Sequence, residues 1–249
     1  MFLRLRQICL VARELEAPVA QLCRLFGLDI SIRDPSVEKH GLNNAVMPVG
    51  QTFLEVVAPF RDGTAAGRYL DRRGGDGGYM VILDTDDVER WRPQLDRAAA
   101  PIAYEGRYPA YHALHLHPKG TGGALLSLDC CTDGERLDGA WFPGGLDWQA
   151  HARTERVQNI VGAELQSPDP ERLARRWSDI LGRPAQDGRI ALDHGELRFV
   201  AARDGRPEGL GGIDLAVADR AAILDDAASL GLAATADSVT FCGTRFYLR

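Results

Sequence analysis

The chain is poor in several features that would narrow its role at once. Its five cysteines (Cys9, Cys23, Cys130, Cys131 and Cys242) form an odd set with no Cys-x-x-Cys pair. Neither a disulfide framework nor a zinc knuckle is indicated, and the thiols are expected to be reduced and mostly in the core. A basic excess is missing too: 29 Lys and Arg stand against 35 Asp and Glu, a formal net charge of -6. Nucleic-acid binding relies on clustered cations that release counterions from phosphates, so no such partner is expected. No apolar run approaches the ~20 residues that span a bilayer. The start, MFLRLRQICLVARELE, has no apolar stretch followed by a small-residue cleavage site. The expectation is a cytoplasmic protein with no membrane partner. Long polar or low-complexity tracts are also absent, and 45% hydrophobic with 26% charged residues is the balance of a folded globular chain.

What is present is one unit repeated four times: an apolar strand, a polar turn, an amphipathic helix, then further strands. In the first, LRLRQICLVA is the strand, ELEAPVAQLCRLFGL the helix with Gly27 as its stop, and NNAVMPVG and QTFLEVVAP two strands joined at Gly50. The second runs from GGYMVILDTDD through the helix VERWRPQLDRAAA to YHALHLHP and GALLSLDC, with KGTGG read as the turn between them. The third starts at VQNIVGAELQS, where Ser167 or Asp169 caps a helix that Gly182 ends, and the fourth, from LGGIDLAV, is the shortest. A period of roughly 50 to 80 residues exceeds that of solenoids, so the units are expected to pair as domains. TDGERLDGAWFPGGLDWQAHARTE lacks periodicity and sets the boundary. Residues 1–131 form a first half, 132–155 a linker, and 156–249 a second, shorter half. Trp141, Phe142 and Trp148 of the linker are expected to cover the seam between halves.

One acid stands out. Glu55 interrupts the apolar run GQTFLEVVAPF, and an ionised carboxylate inside a strand is costly unless a cation or hydrogen bonds compensate. Alternation places Phe53, Glu55 and Val57 on one face, and Leu3, Leu5, Gln7, Cys9 and Val11 on one face of the first strand.

The order strand, helix, three strands, together with FLEVVAP, resembles the vicinal oxygen chelate superfamily, which includes glyoxalase I, methylmalonyl-CoA epimerase and the extradiol dioxygenases. The turn HLHPKGTGG ahead of ALLSLD is similar to the loop before the last strand in the epimerase branch. The resemblance implies an α+β fold in which paired βαβββ modules form cupped mixed sheets, four modules in two halves. It further implies a divalent metal inside the cup, held by His, Gln or Glu on the first and last strand of each module.

Carried over residue by residue, those positions are Gln7 and Glu55 in the first module and Met80 and Ser127 in the second. The last two are poor ligands for a hard or borderline ion. His115 or His117, which share a face, together with Asp129, and with His40 nearby, are the candidates to complete a site with Gln7 and Glu55. His112 falls on the opposite face. The third and fourth modules present Gly162, Arg198, Asp214 and Phe246, which is no metal set, so one active cup is expected, in the first half.

The leading expectation is a glyoxalase-like enzyme acting on a small oxygenated organic molecule, of lyase, isomerase or dioxygenase type. Glu55 would be base or ligand, with a divalent ion of unspecified identity either present or absent. Phe53, Met80, Ser127, His117 and Arg72 would contact the substrate, and Arg68, Arg72 and Arg73 form a guanidinium group suited to a carboxylate or phosphate. The rival expectation is a metal-free protein that sequesters a small molecule in the same cup. A homodimer is compatible with either.

Overall fold

The computed structural model describes residues 1–249. The first half comprises β1 (Leu3–Val11), α1 (Glu16–Phe26), a 3-10 turn (Pro35–His40), β2 (Leu42–Val49), β3 (Thr52–Pro59), α2 (Ala65–Arg73), β4 (Gly77–Thr85), α3 (Arg92–Arg97), β5 (Ile102–Tyr108), β6 (Tyr111–Leu116), α4 (Pro118–Thr121) and β7 (Leu125–Cys131). After the short linker helix α5 (Trp148–His151) come β8 (Val157–Ser167), α6 (Pro170–Leu181), β9 (Arg189–Ala191), β10 (Glu196–Ala201), β11 (Gly209–Val217), α7 (Arg220–Ser229), β12 (Ala233–Thr235), β13 (Ser238–Phe241) and β14 (Thr244–Leu248). No helix is long and apolar enough to cross a membrane.

The helices form where apolar spacing and end signals agree. In α6 the Asp169 carboxylate accepts from the Arg172 amide at 2.9 Å and Pro170 opens the first turn. Leu173, Ala174, Trp177, Ile180 and Leu181 then bury one face, and Gly182, at φ +60°, ends the helix. Ser167, the other candidate cap, accepts from the Asp169 amide instead. The predicted KGTGG turn overlaps α4, and β5, between the predicted helix VERWRPQLDRAAA and the strand YHALHLHP, is an edge strand.

Each half is one seven-stranded mixed sheet, in the orders β2-β3-β1-β4-β7-β6-β5 and β12-β13-β14-β11-β8-β10-β9. In both, the module-opening strands pair antiparallel at the centre (β1 with β4, β8 with β11), each with its own module's closing strand parallel on its outer side. This is the paired βαβββ arrangement.

The pairing corrects one expectation. The register of β1 against β4 slips between Leu5 and Gln7, and such a bulge reverses which side chains face which way. Leu3 and Leu5 therefore join Ile8 and Leu10 in the main core. Gln7, Cys9 and Val11 face the hollow of the sheet with the cup-side cluster.

The halves share one core. Forty-nine buried residues from both sheets and their helices form a single cluster, in which Phe26 of α1 meets Phe246 of β14 at a ring separation of 4.9 Å. Gly50 turns at φ +59° where a Cβ would lie 1.7 Å from the Gln158 carbonyl oxygen, so only glycine allows the halves this close. The linker does not cover that seam. Trp141 and Trp148 pack on Phe53 at the closed end of the first cup, at ring separations of 6.2 and 5.1 Å.

Candidate functional site

The hollow of the first sheet encloses a cavity of about 820 Å³, the size of small-molecule sites. Its floor comes from β1, β3, β4 and β6, its sides from the 3-10 turn, α2, β5 and α4, and Phe142 and Pro143 of the linker reach its edge.

Glu55 stands in this floor. Its Oε1 accepts from Asn44 Nδ2 at 2.7 Å and its Oε2 from Gln7 Nε2 at 2.9 Å. Gln7 is oriented in turn, because its Oε1 accepts from the Trp141 indole at 2.8 Å. Asn44 is held likewise, its Oδ1 accepting from the Asp34 amide at 2.8 Å. The carboxylate is only 8% exposed, and that fraction opens on the cavity. Burial pushes its pKa up, while the bonds from Asn44, Cys9 and Gln7 pull it back, with a net rise. Beside it, burial and the Glu55 charge hold the Cys9 thiol well above its usual range, so it is no ready nucleophile.

At the rim, Lys39 Nζ donates to the hydroxyls of Tyr104 (2.8 Å) and Tyr108 (2.6 Å). These bonds raise the pKa of Lys39, and the ammonium lowers that of Tyr108. His115 also lines the cavity, where burial lowers its pKa to about 4 and keeps the imidazole neutral.

Among the residues marked in the sequence, Gln7, Glu55, Met80, His115, His117 and Arg72 all line this cavity, as do His40 and Arg68. Three do not. Phe53 lies beneath the linker tryptophans. Asp129 faces the cup side but is sealed under Tyr111, whose hydroxyl donates to it, and Ser127 also donates to it. Burial raises Asp129 to about 7. Arg73 is consumed at the seam, donating to the carbonyls of Pro207 and Leu210. Asn44 and Trp141 were missed as site residues. Asn44 sits at the start of a predicted strand, and Trp141 was assigned to the seam.

The donors in the cup do not fit a divalent ion. Each Glu55 oxygen accepts one amide bond, the Gln7 carbonyl oxygen accepts from Trp141, and Glu55 belongs to no group of three converging His, Cys, Asp or Glu ligand atoms. Met80 offers a thioether, and Ser127 and Asp129 bond each other outside the cavity. One group of three suitable atoms within 4.8 Å exists, Glu89, Glu105 and His112. It lies on the surface, where Arg92 and Arg107 already pair with both acids.

The second cup is filled by its own charges. Where Cys9 pairs with Glu55 in the first sheet, Glu164 pairs with Arg198 in the second. Arg198 donates to Asp214 at 2.6 and 3.0 Å and to Glu164 at 3.0 Å. Arg245 and Tyr247 also donate to Glu164. Phe246, expected at the last cup position, is buried in the shared core, and Tyr247 takes the cup-facing place.

Comparison with known proteins fits this architecture. The sequence profile of the glyoxalase-like domain family matches residues 8–181, from β1 to the end of α6. Ethylmalonyl-CoA/methylmalonyl-CoA epimerase of Cereibacter sphaeroides is 25% identical over 131 residues, 51% of this chain and 96% of that protein. Two solved structures share the fold over nearly the full length. A mutant 4-hydroxymandelate synthase from Streptomyces coelicolor has a TM-score of 0.64 at 13% identity, over 93% of this chain and 76% of its own. A hypothetical protein from Staphylococcus aureus has a TM-score of 0.66 at 11% identity, over 100% and 99%. The family match covers well over half of the chain and the sheets repeat the paired modules, so the chain belongs to the glyoxalase-like domain family, within the vicinal oxygen chelate superfamily.

Proposed function

We propose that this protein is an enzyme that removes and returns a proton on carbon beside a carbonyl in a small oxygenated organic molecule, with Glu55 as the base. The observation that carries the reading is Glu55 itself: a buried carboxylate with raised basicity, fixed by two amides, and open only to an 820 Å³ cavity. The name of the Cereibacter sphaeroides relative, an epimerase of acyl thioesters, is consistent with chemistry of this kind.

In the proposed reaction Gln7 and Asn44 aim the carboxylate, and each carboxylate oxygen keeps a lone pair for the substrate C–H. The carbanion's charge moves onto the carbonyl oxygen, and Tyr108, made more acidic by Lys39, donates a hydrogen bond to it. Return of the proton from Glu55 to the carbon it left gives exchange with solvent alone, and its return to a different atom of the delocalised anion completes an isomerisation. No step is routed through a metal. We take residues 1–131 as the catalytic half, 132–155 as the linker and 156–249 as its structural partner. The five free cysteines suit a reducing compartment such as the cytoplasm.

A second reading, sequestration of a small molecule without chemistry, draws on Met80 at a would-be ligand position and on the rings of Tyr69, Tyr79 and Tyr104 in the lining. Deuterium wash-in separates the two. A panel of 2-methyl thioesters and 2-oxo acids incubated in D2O with the protein is followed by proton NMR. Exchange that Glu55→Gln slows by roughly 10²- to 10⁴-fold supports the enzyme. Binding without exchange, or exchange at the same rate in the variant, overturns it.

A further inference from the structure

The chain contains 27 arginines but only two lysines, Lys39 and Lys119, and both line the cavity, with Arg68 and Arg72. Most basic side chains elsewhere pair with a carboxylate, as Arg4 does with Asp84 and Arg156 with Asp226. None of these four does. Lys39 donates to two phenols. Arg68 donates to the Gly63 carbonyl, and Arg72 lies 6.0 Å from the Tyr69 ring. Arg68 and Arg72 stand one turn apart on α2 and so share a face.

Besides Glu55 at the inner end, two acids line the cavity, and both are engaged. Glu208 is paired with Arg172, and Asp34 caps the 3-10 turn by accepting from the amide and hydroxyl of Ser36. In a protein of net charge -6, four cations left without acidic partners around one opening produce a local positive field that favours an anion.

We propose that the guest of this cavity is an amphipathic anion. Its carboxylate or phosphate group lies at the mouth among Arg68, Arg72, Lys39 and Lys119, and its apolar part runs inward over Val57, Met80 and Leu125 toward Glu55. The inner end must not be anionic, because Glu55 there is an acid and is buried. Arg68 and Arg72 are then the residues that set specificity for the charged end. The proposal rests on the cavity being the working site, but not on Glu55 performing catalysis.

The test uses two fluorescent probes of similar shape, the anion 8-anilinonaphthalene-1-sulfonate and the neutral N-phenyl-1-naphthylamine, titrated into the full-length protein. The anion binds more tightly, and added salt weakens it alone. Arg68→Gln with Arg72→Gln lowers its affinity about tenfold or more while changing the neutral probe less than about twofold. Arg203→Gln, a control at an arginine outside the cavity, changes neither. Displacement by hexanoate or by hexyl phosphate, with hexanol ineffective, supports the proposal, and the stronger competitor identifies the anion. Equal binding of the two probes, equal loss of both in the double variant, or displacement by hexanol overturns it. Glu55→Gln keeps the anion preference, so loss of deuterium exchange in that variant and loss of anion preference in the arginine variants are separate results.

Discussion

The indole of Trp141 donates to Gln7 across 2.8 Å, and that bond decides which way the Gln7 amide faces. With its oxygen claimed, Gln7 must present its NH2 group to Glu55. A linker residue 134 positions from Gln7 thus orients the proposed base through that amide.

Trp141→Phe keeps the ring and removes the donor. Exchange catalysed by Glu55 is expected to fall roughly tenfold, with little change in substrate affinity. Melting temperature should move by only a few degrees. An unchanged rate would show that Gln7 holds its orientation unaided.

Asp129 makes a prediction about stability against pH. Its folded value of about 7 lies above the ordinary 3.8, so the folded state binds this proton more tightly than the unfolded chain. The resulting stabilisation is complete below about pH 3.8 and is lost as pH rises through about 7. Asp84, raised to about 6, acts in the same direction. His115, lowered to about 4 from 6.5, acts in the opposite direction and loses its contribution as pH falls through 4. Urea midpoints of Asp129→Asn between pH 4 and 8 should decline less with rising pH than those of the parent. Parallel curves would contradict the assignment.

Arg198 neutralises two buried acids in the second cup, Glu164 and Asp214. Removing one partner from such a network leaves charge without compensation, at a cost of about 3–5 kcal/mol. Arg198→Ala should therefore unfold at markedly lower denaturant while the remaining folded protein exchanges deuterium at the parent rate. A stability within about 0.5 kcal/mol of the parent would mean that the network contributes little.

Because no three ligand atoms of His, Cys, Asp or Glu converge in the first cup, exhaustive chelation is expected to leave both deuterium exchange and melting temperature unchanged. Elemental analysis should find well under one divalent ion per chain. A stoichiometric ion lost in Glu55→Ala would reverse the reading of the cup.

Much of this could be read along the chain. Strand, helix and strand orders follow from apolar spacing and from stops such as Gly27 and Gly182, which are local signals. The place of Glu55 in the lining followed from alternation within β3. What was not legible is long-range or aperiodic. The slip in β1 leaves no mark in an alternating pattern. The edge strand IAYEGRY carries few apolar residues. Trp141 reaches Gln7 only because the linker folds back over the cup, and Asp129 was missed as a sealed group because Tyr111, which covers it, comes from a neighbouring strand.

The merged interior of the two sheets governs how the molecule comes apart. A fragment ending at residue 131 would present Leu3, Leu5 and Phe26, now buried against the second sheet, to water as a broad greasy face. Such a fragment should stick to its own copies, whereas the intact chain carries its own permanent partner. Heating should consequently melt both sheets in one step, so damage anywhere along the seam at Gly50 is felt at Glu55.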